Sequence, residues 1–454
     1  MIRKVKWNDY KSLGSLELDF INPSTGLPFN TIVLAGENGA GKTTILDSLA
    51  IFLNRQTIAP FEYIEYAADG KTFYITPDTN HESYPNKGYH NRREISTGIV
   101  ENVRSGRNNN VEQIAQDAKD LRHYGFAYSK ARSGFMTEPV SSVTTQQVDN
   151  DKYEPDEQEN FTRIKQLLID IDGQDSSEWM MLCKERGIND QKFDDFKKLS
   201  KGYRFEKAFN DFFESVKYKG INNNDPNEKK VLFEKHGKSI PVDLLSTGEK
   251  QIVFRGAHLL RNINSISGGI VLIDEPELSM HPIWQKRILD YYRGLFTNNG
   301  SQSVQMILAT HSEYIIQSAL KDRDNVLVVI LSDVNGIINA RKITAPNVLP
   351  IITSAETNYL AFGVPSIDYH IELYGYLQTK TGFHRIEDCD GYIAGRIPIY
   401  DVAKHQKIDN SYPPHHYQTL PTYIRNAIDH PDSGRTYSEE ELEESIRLLI
   451  ELCK

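Results

Sequence analysis

The sequence predicts an α/β fold: a mixed sheet around a phosphate-binding loop, an antiparallel lobe beside it, a helical insertion and a mainly helical C-terminal tail. Three observations carry this prediction. Gly36-Glu37-Asn38-Gly39-Ala40-Gly41-Lys42-Thr43 matches the full G-x-x-x-x-G-K-[ST] template, with an apolar run at 31–35 before it and helical spacing at 44–53 after it. Two later apolar runs, 269–274 and 304–310, end in Asp274-Glu275 and in His311-Ser312, each followed by a helical pattern. Strand and helix in this alternation build a parallel sheet whose functional side chains sit at the C-terminal strand ends. Finally, residues 2–7 and 15–20 alternate apolar and polar side chains around a turn at 10–14, which is the signature of a β-hairpin.

The 454 residues exceed one ordinary core, so two or three structural units are expected, and 39% hydrophobic residues suffice to fill them. A net charge of −10 argues against coating nucleic acid by bulk electrostatics, leaving DNA or RNA contact to local basic patches. Cys183, Cys389 and Cys453 lie far apart without a C-x-x-C pairing, which suits a reducing compartment and excludes a cysteine-rich zinc module. The start lacks an apolar signal region and no run is long enough for a bilayer, so the expectation is a cytoplasmic chain with no membrane contact.

The chain divides in order. Residues 1–55 form the lobe with the phosphate loop, and 56–240 read as an insertion of mixed β and helical character. The insertion contains alternating stretches at 61–66 and 71–75, a basic, Asn-rich stretch at 104–110, and a polar tract at 137–160 expected to be mobile. Helical patterning returns at 161–171 and 203–216 without the sustained heptads of a coiled coil. A strand pair at 230–234 and 239–243 leads into residues 241–345, which hold the remaining motifs. There Leu245-Ser-Thr-Gly-Glu249 precedes an amphipathic helix at 250–262, and a strand at 325–331 with a hairpin around Asp333-Val-Asn-Gly336 closes the head. Residues 346–454 are the helical tail.

The chemistry of the loop is that of ATP and Mg²⁺. Gly36, Gly39 and Gly41 let the backbone curl so that N–H groups and the following helix N-terminus face phosphates; Lys42 reaches the β- and γ-phosphates, and the Thr43 hydroxyl ligates Mg²⁺. Asn38 and Thr44 complete the loop's binding set. Taken alone, Ser246 or Thr247 would simply cap a helix. The stretch 124–132 reads as a buried strand running toward the site, with Arg132 placed either to contact phosphate or to make a structural ion pair.

The order of phosphate loop, distant Leu-Ser-Thr-Gly-Glu, strand ending Asp-Glu and strand ending His resembles the ABC class of ATPases, and within it the RecF- and OLD-like soluble branch met in bacterial defence. The resemblance covers residues 1 to about 340. It implies that two protomers sandwich two ATP molecules, so the chain is expected to form a homodimer or higher homo-oligomer. It also implies that Asp274 orients Mg²⁺, that Glu275 is the base polarising the attacking water, and that His311 senses the γ-phosphate. Ser246, Gly248 and Glu249 would cap the partner's nucleotide, and residues 278–281 would couple the two sites. The sequence departs from transporter signatures at Thr247 and Glu249, and no glutamine loop is evident: Gln146 and Gln147 lie in the polar tract.

For the tail, a Toprim nuclease would need a Glu-bearing strand ahead of Asp388-Cys-Asp390, and none precedes it. His415, His416, Asn426 and His430 are too compressed for an HNH site. Arg425-Asn-Ala-Ile-Asp-His430, with Glu372 on an earlier helix, resembles the R-x4-H motif of HEPN ribonucleases. The wording at 356–363, 372–377 and 423–426 resembles instead the tail of ATPase subunits from Septu-type and retron-associated anti-phage systems. This resemblance implies a sensor or regulatory scaffold docking a separately encoded nuclease, favouring the HNH type. A stand-alone HEPN-like RNase toxin and a RecF-like DNA repair ATPase are the alternatives.

Overall fold

Four apolar runs, 31–36, 126–129, 270–274 and 305–310, are buried at every residue. That is the pattern of strands covered on both faces. In the computed structural model they form the centre of a seven-stranded sheet in the order Ile337–Lys342, Val326–Val334, Thr31–Gly36, Gln305–Thr310, Ile270–Asp274, Phe126–Ser129, Tyr153–Glu154. All neighbours are parallel except the first pair, the hairpin that turns at Gly336. The register pairs Asp274 with Ala309 and Thr310 with Ala35, so three strands end side by side. The structure describes residues 1–80, 89–105, 111–156, 161–186, 192–298, 300–409 and 414–454.

A second, antiparallel sheet runs Glu17–Asp19, Ile2–Trp7, Phe61–Ala68, Lys71–Pro77, Tyr89–Glu94, Val100–Arg104. The helix Lys42–Leu53 lies between the sheets. Its Ile45, Leu46, Leu49, Phe52 and Leu53 share one core with Trp7, Phe61 and Ile64 of the antiparallel sheet and with Ile32, Leu34 and Leu272 of the central one. Burying each such side chain contributes about 1.5–3 kcal/mol, so the helix that follows the phosphate loop is fixed from both sides. Trp7 adds a directional tie, its Nε1 donating to Ser48 Oγ at 2.9 Å.

Several expectations change in detail. The segment 56–240 is not a single appended lobe: four of its strands complete the antiparallel sheet and two extend the central sheet past Ile270–Asp274. The polar tract that begins at Thr137 is fastened where it is described. Asp170 of the helix Phe161–Arg186 accepts from Thr144 N at 2.7 Å and from Gln146 N at 3.3 Å, and Lys229 N donates to Val140 O at 2.7 Å. Residues 157–160 of that tract and 106–110 of the basic stretch lie outside the described residues. The helix expected at 250–262 is not amphipathic: 251–257 are buried on all sides, and Gln251–Arg255 form a π-helical turn between Thr247–Lys250 and Gly256–Leu260. Single π-turns inside helices recur at functional sites.

Met1–Lys342 form one compact unit and Ile343–Lys454 another. The second unit holds the helices Ser354–Phe362, Ile367–Thr381, Ile386–Ala394, Leu420–Asp429 and Glu439–Cys453 around Leu373, Leu377, Ile424, Ile446 and Leu449. Among the described residues no helix is long and apolar enough to cross a membrane.

Candidate functional site

The shared strand register brings the phosphate loop, Asp274-Glu275 and His311 to one edge of the central sheet. Gly36 has φ 150°, and a Cβ there would stand 2.1 Å from Leu331 O, so only glycine lets the loop leave its strand beside Val326–Val334. Gly41, at φ 80°, opens the helix Lys42–Leu53, and a Cβ on it would meet Leu13 Cδ2 at 2.5 Å. Lys42 Nζ donates to Gly36 O and Glu37 O, both at 2.7 Å, and lies 3.4 Å from His311 Nδ1. Burial lowers the Lys42 pKa to about 8. Asn38 and Gly39 are exposed at the loop tip, and Thr44 is half-buried.

Thr43 Oγ1 donates to the Asp274 carboxylate, 3.2 Å from Oδ1 and 3.0 Å from Oδ2. Asp274 is buried, and burial raises its pKa to about 6. One hydroxyl and one carboxylate are the hard oxygen donors that Mg²⁺ takes when phosphates and waters complete its shell. Among the described residues no cluster of three or more His, Cys, Asp or Glu side chains could hold a metal unaided. The donor set therefore fits Mg²⁺ brought with a nucleotide.

Glu275 sits at φ 43°, a left-handed conformation costing a non-glycine residue about 1–3 kcal/mol, and its N–H donates to Ala309 O at 2.9 Å. Its Oε1 lies 3.0 Å from His311 Nε2. Burial and the Lys42 charge lower the His311 pKa, with the Glu275 carboxylate opposing them. Lysine, imidazole and carboxylate thus form a line at the strand ends. Such a line can hold phosphate oxygens and a water.

Two residues at this edge escaped the sequence reading. Arg255, in the π-turn, donates to Asp274 O (2.7 Å), Glu275 O (3.0 Å), Ser129 O (2.9 Å) and Ser129 Oγ (2.8 Å), binding the carboxylate-bearing strand end to its neighbour. Glu277 Oε1 accepts from Thr310 Oγ1 and from His311 N. A carboxylate two residues past Glu275 was the available signal for Glu277; for Arg255 the sequence held none, because its partners lie 19 to 126 positions away.

The signature residues form a local unit. Ser246 caps the helix Thr247–Lys250 in a capping box with Glu249, whose Oε2 accepts from Ser246 N at 2.8 Å and whose Oε1 accepts from Lys235 Nζ at 2.7 Å. Glu249 is buried, so its carboxylate shapes this loop and is not offered to a nucleotide, unlike the expectation. Ser246 is exposed and Gly248 is buried against Ser279 O and Trp284. Among the described residues no hydrogen bond joins 246–249 to the phosphate loop of the same chain. Arg132 makes an ion pair with Asp156 at 2.8 Å. Gln146 is held by the helix Phe161–Arg186 and is not brought to this edge. In the tail, Arg425 pairs with Asp429 at 2.7 Å, and His430 is exposed at the end of the same helix.

Residues 1–201 match a protein family described as "AAA ATPase domain", and residues 149–317 match one described as "AAA domain, putative AbiEii toxin, Type IV TA system". Together the two matches cover residues 1–317, and each is a likeness over less than half of the chain. Among curated proteins, this chain is similar to "Retron Vc95 probable ATPase" of Vibrio cholerae serotype O1 biovar El Tor, 31% identical over 102 residues, 20% of this chain and 19% of that one. It is also similar to "Retron Ec83 probable ATPase" of Escherichia coli, 35% identical over 94 residues, 19% of this chain and 16% of that one. The matches thus span less than one fifth of the length of either relative. Among solved structures there is a distant likeness to the Smc head bound to the C-winged helix domain of ScpA, at 16% identity and TM-score 0.39 over 75% of this chain and 98% of that one.

Proposed function

We propose that this chain binds ATP with Mg²⁺ and hydrolyses it in sites shared between two copies of itself, and that its second unit docks a separately encoded nuclease, favouring the HNH type, in defence against phage. The observation that carries the first half is the assembly of Lys42, Thr43, Asp274, Glu275 and His311 at one sheet edge. Phosphoryl transfer needs charge neutralisation and an aligned water more than covalent catalysis, and these side chains supply both. Lys42 exchanges the carbonyls of Gly36 and Glu37 for phosphate oxygens. Thr43 and Asp274 would hold Mg²⁺, which when bound would supply charge to stabilise the transferring phosphoryl group. Glu275 holds the attacking water and draws on its proton, and His311 keeps the Glu275 carboxylate turned toward the phosphate loop. Ser246 is exposed, and its hydroxyl, held by Glu249 in the capping box, would exchange that hydrogen bond for one to a nucleotide bound by a second copy.

The second half is supported by the curated relatives, both described as retron ATPases. The tail supports it too. It packs as its own helical unit, and Arg425 is spent on Asp429. Expression with the native neighbouring genes, followed by mass measurement of the complex and cleavage assays on DNA and RNA with and without ATP, tests the proposal. A partner that stays bound after residues from 346 onward are removed would refute docking by the tail.

A further inference from the structure

The ladder between Ile270–Asp274 and Gln305–Thr310 ends with Glu275 N donating to Ala309 O, so the backbone beyond it needs other partners to hold its place. Glu277 provides them. Its Oε1 accepts from Thr310 Oγ1 at 2.8 Å and from His311 N at 2.6 Å, while its Oε2 is buried with no partner. A second tie runs alongside: Ser312 Oγ donates to Gln285 Oε1 at 2.7 Å, and Gln285 Nε2 donates to Met280 O at 3.0 Å. Thr310 Oγ1 also accepts from Ser312 N at 2.9 Å, linking the two ties. Residues 310–312 are thereby fastened at two points to the loop 277–281, which carries a left-handed residue, Ser279 at φ 61°.

We propose that Glu277 is a positioning residue: it clamps the backbone of His311 so that the imidazole meets Glu275, and it makes the loop 277–281 and the His311 segment move as one body. This rests on the nucleotide-site reading above and deepens it by naming what sets the His311 to Glu275 distance. Two hydrogen bonds to one carboxylate oxygen hold a loop end that no strand ladder holds. The free edge of the same loop packs against the signature segment, since a Cβ on Gly248 would stand 2.8 Å from Ser279 O.

The test compares the native chain with Glu277→Ala and Glu277→Gln by steady-state kinetics on ATP and by hydrogen exchange of the His311 amide in nucleotide-free protein. Glu277→Ala is expected to lower kcat about tenfold or more with KM changed less than about threefold, and to speed exchange of the His311 amide by about tenfold or more. Glu277→Gln keeps the accepting oxygen and is expected to stay within about threefold of the native chain in both. Glu277→Ala with native kcat and native exchange overturns the proposal, as does Glu277→Gln damaged to the same extent. If Glu277→Ala does not fold, Thr310→Val removes one of the two donors, and native kcat and exchange in that chain overturn it equally. A native chain that hydrolyses no ATP sinks the nucleotide reading alone, because the amide exchange of His311 is read without nucleotide and still decides the clamp.

Discussion

His311 Nε2 lies 3.0 Å from Glu275 Oε1 while its Nδ1 lies 3.4 Å from Lys42 Nζ, so one imidazole touches both the carboxylate proposed to hold water and the amine proposed to bind phosphate. Removing either neighbour should therefore have a different consequence.

Lys42→Ala should lose ATP affinity by about 10- to 100-fold, the loss expected of hydrogen bonds to a charged group. Glu275→Gln should keep affinity within about threefold, lose hydrolysis and accumulate a closed dimer. Equilibrium binding of a fluorescent ATP analogue, read beside phosphate release, separates the two. Equal loss of affinity in both would remove Glu275 from its assigned role.

Asp274 makes stability depend on pH. Its folded pKa of about 6 stands above the ordinary 3.8, so the stabilising contribution is complete below pH 3.8 and is lost as pH rises through about 6. That gap corresponds to about 3 kcal/mol. Asp274→Asn keeps an acceptor for Thr43 and should raise the urea midpoint of nucleotide-free protein at pH 8 while abolishing Mg²⁺-dependent hydrolysis. An unchanged or lower midpoint would contradict this.

The loop glycines should separate as well. Gly36→Ala would place a methyl 2.1 Å from Leu331 O, and thermal unfolding should show a loss of about 3 kcal/mol or more. At Gly39 the same methyl meets nothing within 4 Å, and only the φ of 84° resists it. Gly39→Ala should cost about 1 kcal/mol of stability and act mainly on nucleotide affinity.

What the sequence could show follows from distance along the chain. The phosphate loop, its strand and its helix are contiguous, and Asp274, Glu275 and His311 each close an apolar run that can only be a buried strand. Their meeting follows from parallel register, so the grouping of these candidate residues was legible in the sequence. The antiparallel sheet was half legible: its hairpin is local, but Phe61–Ala68 pairs with Ile2–Trp7 across some sixty positions, and nothing in an alternating pattern names its partner. Arg255 was illegible for the same reason, since what marks it is whom it touches, whereas Glu277 had only its place two residues past Glu275 to mark it.

If ATP is bound in sites shared between two copies, as proposed, mixing Ser246→Arg with Lys42→Ala should restore partial hydrolysis, because one of the two sites in the mixed dimer would keep both native residues. Full-rate hydrolysis by a monomer, shown by sedimentation under assay conditions, would exclude sharing.

For the tail, Arg425→Ala and His430→Ala should leave partner binding intact, because Arg425 is already paired with Asp429 and His430 faces solvent. Purified, partner-free protein should leave RNA uncut. Cleavage that disappears in His430→Ala would favour the ribonuclease alternative instead.

The strand that ends in the phosphate loop, Thr31–Gly36, is flanked on both sides by strands made far later, Gln305–Thr310 and Val326–Val334. During synthesis the loop must therefore leave the ribosome long before either neighbour exists. At roughly 5–20 residues per second, on the order of 15 to 60 s pass before the first of them emerges. Throughout that interval the nascent chain has no seat for a nucleotide, and every prematurely terminated product shorter than about 300 residues is born without one.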